Sequence, residues 1–408
     1  MRAWTMRQID YWVGRPICVL LTFWRHVVMI FLPEPPHAPP EKILFLKLEE
    51  QGALVLANAA VQRAATLVGR SNVYFCVFAE NRALLEELSL VPNSNIFTIR
   101  TQHPIQIAAD TLLALVRIRR TCIDTVVDLE FFARGSAILA FLTGARNRVG
   151  LHSFNSETSY RGNLHTHRVA SNPYLHTAMA YDVLVRALTV APEQVPLLKE
   201  PLPDVELPAP VFKPSTAGLA AARARGRIID QTGPLIIIHP NCIDALRVRS
   251  WPPERYAALC RRALDAHPDA RIILTGLESE RTQIEGLVES VGNQQVTSLA
   301  GELSIHEFLC LLTLADVLIT NDSGPAHFAA LTPVHQVVIY GPETPAVFGP
   351  LGPRKRVLYR QFACSPCLTI HNYRNSPCRD NRCVQDISVE EVAAAVEECL
   401  TERVGVPC

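Results

Sequence analysis

Asp316-Val-Leu-Ile-Thr320 runs directly into Asn321-Asp322-Ser323-Gly324-Pro325-Ala326-His327, and this junction decides the fold. A short apolar run followed at once by small polar residues and a proline reads as a buried strand passing into a helix. Ser323 and Gly324 at the helix start would turn backbone N–H groups toward the end of the strand, where a helix terminus favours an anion such as a diphosphate. Asp322 can orient a neighbouring donor or hydroxyl, and His327 lies one turn in on the same mouth. A helix merely capped by Asp322 or Ser323, with no ligand, uses the same residues. The next strand ends alike, in Tyr340-Gly341-Pro342-Glu343-Thr344. Two small-residue loops at adjacent strand ends make a phosphate and sugar cradle.

Working outward, short β-branched runs alternate with longer amphipathic ones. Strands are expected at Leu235 to His239, Arg271 to Thr275, Gln295 to Leu299, Val317 to Thr320 and Val337 to Tyr340, with helices at Pro253 to Ala266, Glu280 to Val291, Ile305 to Ala315 and Pro325 to Leu331. An earlier series places strands at Ile43 to Leu48, Val73 to Phe78, Asn95 to Ile99 and Ile123 to Asp128. Its helices fall near Leu54 to Val68, Asn81 to Leu88, Ile105 to Arg119, Arg134 to Leu142 and Tyr174 to Leu188. Such alternation predicts an α/β protein with two doubly wound parallel sheets. The expected division is residues 1–40 as a helix and spacer, 41–190 as the first Rossmann-like domain, 191–233 as a proline-dense linker, 234–360 as the second domain, and 361–408 as a cysteine-rich segment and helix. Ligands in such sheets sit beyond the carboxyl ends of the strands, so the site should face a cleft between the domains. The polar stretch Leu151 to His176 reads as an exposed loop beside the first domain's crevice.

Composition sets outer limits. Apolar residues make up 49% and charged residues 19% of 408, which fits a packed soluble body and excludes a disordered or collagen-like chain. Lysine plus arginine balances aspartate plus glutamate at 39 each, so no global field calls for nucleic acid. Most of the twelve cysteines sit in apolar runs and read as reduced core residues; with no signal-peptide cleavage pattern, a cytoplasmic location follows. Residues 9–32 are largely apolar, but Arg15, Pro16, Arg25 and His26 interrupt them. Aromatics beside arginines favour a helix lying in, or dipping into, the cytoplasmic leaflet of a membrane; packing on the protein's own body or on a partner is the other reading. Pro33 to Pro40 then forms a stiff spacer.

The stretch from His239-Pro-Asn241 through Arg249-Ser-Trp251-Pro252 to Gly349, with the loops above, resembles glycosyltransferase family 9, the family of the lipopolysaccharide-core heptosyltransferases. The likeness runs from about Lys42 to the C-terminus. It implies the two-domain GT-B fold and an inverting, metal-independent glycosyltransferase that takes a nucleotide-sugar donor and a glycan or glycolipid acceptor. The basic residue two before the Trp-Pro pair would bind the donor diphosphate. Here it is Arg249 where typical members have lysine, and a guanidinium fills the role with bidentate reach; Arg247 would assist. The family's ribose-binding glutamate matches Glu280 in Gly276-Leu-Glu-Ser-Glu280, with Glu278 as its competitor and a plain helix-start acid as the bland reading. The donor set is thus Arg249, Glu280, Asn241, Asp322, Ser323, Gly324, Pro325, His327 and Gly341.

The family's first motif carries a Gly-Asp pair whose aspartate is the proposed base. This chain reads Lys47-Leu48-Glu49-Glu50-Gln51-Gly52-Ala53-Leu54, so Ala53 stands in the aspartate's place. Inverting transfer needs a base for the acceptor hydroxyl, and Glu50, ahead of Glu49, is the substitute expected on that turn. Solvated loop acids are the alternative. Lys47, Gly52, Arg134, Arg161 and His165 are the candidate acceptor contacts, with Asp128, Glu130 and His167 as further candidates; lone histidines in polar loops are more often ordinary surface residues. Cys364, Cys367, Cys378 and Cys383 have spacings compatible with a structural zinc, with reduced packing thiols or a disulfide as the other readings; no cofactor is expected for catalysis. The leading expectation is sugar transfer, with heptose from an ADP-linked donor as the example, to a core-oligosaccharide or lipid-linked acceptor at the cytoplasmic face of the inner membrane. The alternative is a degenerate GT-B scaffold that binds nucleotide sugar or a partner without turnover.

Overall fold

The computed structural model describes all residues except 1–2, 33–36, 155–158, 203–206, 229–231, 241–247, 373 and 405–408. The chain divides into two compact units, Met1–Leu207 with Ile370–Asn372, and Pro208–Thr369 with Tyr373–Cys408. The division falls at Leu207, inside the expected linker, and the helix Thr216–Arg225 beyond it packs on the helix Ile305–Leu314 of the second unit. The expected interfacial segment belongs to the first unit, and the C-terminal helix to the second.

The first unit holds β1 (Ile43–Leu46), β2 (Val73–Phe78), β3 (Ile96–Ile99), β4 (Thr125–Asp128), β5 (Asn147–His152) and β6 (His167–Ala170). They lie in the order β3-β2-β1-β4-β5-β6, and all the pairings are parallel. The second unit holds β7 (Leu235–His239), β8 (Arg271–Leu274), β9 (Val296–Ser298), β10 (Val317–Asn321), β11 (His335–Tyr340) and β12 (Lys355–Tyr359). Their order is β12-β11-β10-β7-β8-β9, again parallel. Counted from each unit's first strand, the two wirings are the same, 3-2-1-4-5-6. In this arrangement the strand order reverses between β1 and β4 and between β7 and β10, and the loops leaving those strands diverge to leave room for a ligand.

β1 and β4 are buried along their whole length, and the central strands β7 and β10 nearly so, which explains continuous apolar runs in place of alternation. In the second unit Ile236, Ile238, Ile272, Ile319 and Val337 pack with Trp251 and with Val392, Val396 and Cys399 of the C-terminal helix. Full burial of each such side chain contributes about 1.5–3 kcal/mol.

The N-terminal segment is helical as Ala3–Ile9, a five-residue π turn Asp10–Gly14, and Arg15–Phe31. One stripe of it docks on the first unit at i, i+4 spacing. Asp10 Oδ1 accepts the N–H groups of Arg134 and Gly135 at 2.8 and 2.7 Å, satisfying the free donors that open the helix Arg134–Leu142. Gly14 lies against Arg134, where a Cβ would stand 2.8 Å from the arginine's own. Cys18 is buried with Ala137 and Leu164, Thr22 Oγ accepts from the N–H of Asn163 at 3.4 Å, and Arg25 donates to the Asn163 carbonyl. Trp12, Leu20, Phe23, Trp24, Ile30 and Phe31 are exposed. Thr5–Phe31 is long and apolar enough to cross a membrane.

Candidate functional site

In the first unit the chemistry gathers on the turns after β1 and β4, at that sheet's reversal point. Lys47 follows β1 and has no exposure. Its Nζ is 2.9 Å from Glu130 Oε2 and 3.4 Å from Glu50 Oε2. Burial works against its charge, and Glu130, Tyr181 and Glu50 outweigh it and hold its pKa above the ordinary lysine range. Glu130 Oε1 accepts the backbone N–H groups of Leu48 and Glu49 at 2.6 and 3.0 Å. One carboxylate from the β4 turn therefore fixes the whole β1 turn.

Glu50 sits in the left-handed region at φ 65 and opens the helix Gln51–Leu56. Glu49 is half-buried. Its pKa rises to about 7 because burial disfavours its charge, and because Glu130 and Glu50 repel it more than Arg7 and Lys47 attract it. A general base works best with a pKa near the working pH, which makes Glu49 a candidate base beside Glu50, the residue put first from sequence. Ala53 is buried within the helix Gln51–Leu56 and supplies no carboxylate.

The expected acceptor contacts are interior groups. Lys47 is enclosed by its ion pairs, and Gly52 is buried in a helix. Arg134 is buried against Asp10 and donates from Nε to the Tyr160 carbonyl at 3.1 Å. Arg161 and His165 converge on Asp128, whose Oδ2 accepts from Arg161 Nη1 at 3.1 Å and from Ser136 at 2.9 Å and lies 3.1 Å from His165 Nε2. Burial lowers the His165 pKa, against the hydrogen bond to Asp128. The described part of the stretch expected as an exposed loop, Leu151 to His176, instead threads Arg161, Leu164 and His165 into the body, because their polar groups find buried partners there.

In the second unit β10 and β7 are cross-linked past their ends. Thr320 Oγ donates to the His239 carbonyl at 3.0 Å; Asn321 Nδ2 donates to the Pro240 carbonyl at 2.7 Å, and its Oδ1 accepts from the Trp251 N–H at 3.3 Å. These bonds hold Arg249 beside Asp322, at 3.6 Å, and beside Glu343 after β11, at 2.9 Å. Ser323 precedes the helix Gly324–Ala329, whose six residues carry Pro325 and a buried His327. Pro325 has no N–H and the Ala326 N–H donates to the Ser323 carbonyl at 3.2 Å, and so short a helix adds little dipole. Trp251 is core, its indole N–H donating to the Ile387 carbonyl at 2.8 Å.

Glu280 is 1% exposed. Its Oε2 accepts the Leu277 N–H at 2.7 Å, and Oε1 has no hydrogen-bond partner among the described residues. Glu278 instead pairs with Arg281 at the surface. Gly276 is required there, since a Cβ would meet Ile284 at 2.3 Å. At Gly341 a Cβ would strike Val384 at 2.2 Å, so that glycine admits the C-terminal segment. Asn241 and Arg247 lie outside the described residues. Cys364, Cys367 and Cys378 lie close enough to Cys383 to help burial push its thiol up to about 11. All four are free thiols, and among the described residues no three His, Cys, Asp or Glu groups converge to hold a metal.

Three residues of these clusters escaped the candidate set. Glu130 was a further acceptor candidate whose tie to Lys47 was not foreseen, whereas Glu343 was visible only as an acid after Gly341-Pro342. Arg374 and Asp10 gave no signal, because their partners are far away in sequence.

A profile of glycosyltransferase family 9 (heptosyltransferase) matches residues 117–376. Lipooligosaccharide heptosyltransferase 2 of Campylobacter jejuni is 28% identical over 109 residues, 26% of this chain and 33% of the relative; the chain thus spans about a third of the length of such relatives. Among solved structures, a family 9 glycosyl transferase from Veillonella parvula is similar with a TM-score of 0.68 at 17% identity, covering 90% of this chain and 99% of that one. The E. coli ADP-heptose lipopolysaccharide heptosyltransferase II gives 0.65 at 18% identity, covering 89% and 100%. These likenesses establish the fold as that of the GT-B heptosyltransferases, and the profile match over more than half of the chain establishes the family: the chain belongs to glycosyltransferase family 9.

Proposed function

We propose that this protein is an inverting, metal-independent glycosyltransferase that moves a heptose from an ADP-linked donor to a lipopolysaccharide-core or related lipid-linked acceptor. The observation that carries the reading is the cluster at the reversal point of the second sheet, where Arg249 is held beside Asp322 by the Asn321 bonds to Pro240 and Trp251. Arg249 would take the donor diphosphate, and the unpartnered Oε1 of Glu280 would accept from a ribose hydroxyl. Glu49 would take the acceptor's proton as its oxygen attacks the anomeric carbon. Its pKa of about 7 leaves it partly ionised at neutral pH while keeping it basic enough to act.

The segment Asp10–Phe31 would lie in the cytoplasmic face of the inner membrane with Trp12, Phe23 and Phe31 toward lipid. Its opposite stripe is committed to the first unit from Asp10 to Arg25, so spanning the bilayer would drag polar partners such as Asn163 into hydrocarbon. Thermal shift against ADP-, GDP- and UDP-sugars tests the donor, with stabilisation by ADP-sugars expected; preference for UDP-sugars would overturn it. Turnover undiminished by excess chelator, with product of inverted anomeric configuration by NMR, tests the mechanism.

Ala53 in place of the family's aspartate favours a second reading, a scaffold that binds nucleotide sugar without turnover. Nucleotide binding with no transfer or donor hydrolysis by wild type would select it.

A further inference from the structure

Glu343 occupies an unusual position for an acid. Its carboxylate is 2% exposed, and Oε1 lies 2.9 Å from Arg249 Nη2 and 3.1 Å from Arg374 Nε. The other face of Arg249 meets Asp322 at 3.6 Å, while its Nε has no hydrogen-bond partner among the described residues. Arg374 is held over the Phe348 ring, 4.6 Å from its centroid. The Tyr340 hydroxyl is buried beside them and donates to the Phe348 carbonyl at 2.9 Å. All of these groups belong to the second unit. Two guanidiniums thus stand at ion-pair distance from one buried oxygen that accepts no hydrogen bond among the described residues, and guanidiniums so placed could turn their N–H groups to phosphate oxygens.

With every group charged, two arginines face two carboxylates and the cluster is neutral. A diphosphate arriving at Arg249 would then meet Asp322 and Glu343 as like charges in a desolvated place, where repulsion is strong. Glu343 is the group able to yield. Burial disfavours its charge and Asp322 repels it, against the pull of Arg374 and Arg249, and its pKa is pushed up to about 8.

We propose that Arg249 and Arg374 form a two-arginine seat for the donor diphosphate, and that Glu343 is the seat's counter-ion when ionised and must be in its protonated form, displaced from the arginines, when the diphosphate is bound. This rests on the donor reading above. It adds a second phosphate ligand and makes donor affinity depend on pH, since above about pH 8 a proton must be taken up for each diphosphate bound.

Isothermal titration of the full chain with ADP and with inorganic pyrophosphate, from pH 7 to 9, tests it. Wild type should bind both probes about tenfold more weakly at pH 9 than at pH 7. Glu343→Gln should remove that part of the pH dependence and bind at least tenfold more tightly than wild type at pH 9; comparing the two proteins cancels the titration of the probes themselves. Arg374→Ala should weaken both probes by tenfold or more, and Arg374→Lys, which keeps the charge and loses the fork, by less. Thermal unfolding of each variant verifies the fold. Pyrophosphate binding unchanged in both Arg374 variants, or a wild-type pH profile in Glu343→Gln, would overturn the seat while leaving the donor reading standing if ADP still binds. Pyrophosphate bound through Arg374, with no nucleoside diphosphate held more tightly, would keep the seat and sink the nucleotide donor. Failure of both probes to bind overturns both.

Discussion

Lys47 has no exposure and keeps its charge through Glu130, Tyr181 and Glu50. A buried ion left alone is costly, so removing Glu130 should destabilise the protein strongly: Glu130→Ala should lose about 3–5 kcal/mol in denaturant unfolding. It also strips the acceptor from two backbone N–H groups of the turn that carries Glu49. Glu49 itself should govern the pH profile. As a base it acts when deprotonated, so kcat/KM should rise with pH through about 7. Glu49→Gln should abolish that limb and reduce turnover by about 10²–10⁴-fold, whereas Glu50→Gln should retain the limb; the opposite result would return the role to Glu50. At this scale the sequence was legible where chemistry is local. The Arg249–Trp251 turn, the Asn321–His327 loop and the Glu49–Glu50 turn can be found by eye. It was illegible where a charge meets a partner from a distant strand, which is why the buried pairings of Lys47 with Glu130, Arg134 with Asp10, and Arg161 and His165 with Asp128 were not foreseen.

Among elements, helices with strong apolar periodicity and central strands were readable, and Arg134–Leu142, Pro253–Ala266 and Leu235–His239 have the expected bounds. β5, β6 and β12 were not. Asn147 and Arg148 are polar residues inside a buried strand, with Asn147 donating to Thr125 and Arg148 to the Leu164 carbonyl. β6 and β12 are edge strands, where one missing neighbour weakens the apolar signal. The N-terminal helix shows the same difficulty in another form. Its apolar residues announce a lipid contact, while the docking stripe Asp10, Gly14, Cys18, Thr22 and Arg25 is hidden among them. In vesicle flotation with anionic lipid, replacing Trp12, Phe23 and Trp24 by serine should release most of the protein from the floating fraction, with little change in the unfolding midpoint, because these side chains are exposed. Asp10→Ala should do the reverse, keeping flotation and losing about 1 kcal/mol of stability with the lost helix cap.

On the scale of the molecule, alternation in the sequence foretold two doubly wound sheets, and the reversal points of both fall beside the residues argued to act. The division at Leu207 was less legible, since a proline-dense run looks like a linker whether or not a helix such as Thr216–Arg225 packs after it. Two units with separate cores need not melt as one. Scanning calorimetry with ADP at about a hundred times its Kd should stabilise the unit from Pro208 onward by about 2.7 kcal/mol, raising the transition that contains Arg249 and Glu343. An equal shift of both transitions would place the nucleotide elsewhere. The repeated 3-2-1-4-5-6 wiring has a further consequence. Each sheet draws all its strands from its own stretch of chain, and the C-terminal helix returns to the core of the second sheet, so neither half borrows a strand from the other. The second half is therefore an exchangeable part: grafted behind the first half of another family member, it should carry its sugar-nucleotide preference into the hybrid and leave acceptor choice with the host.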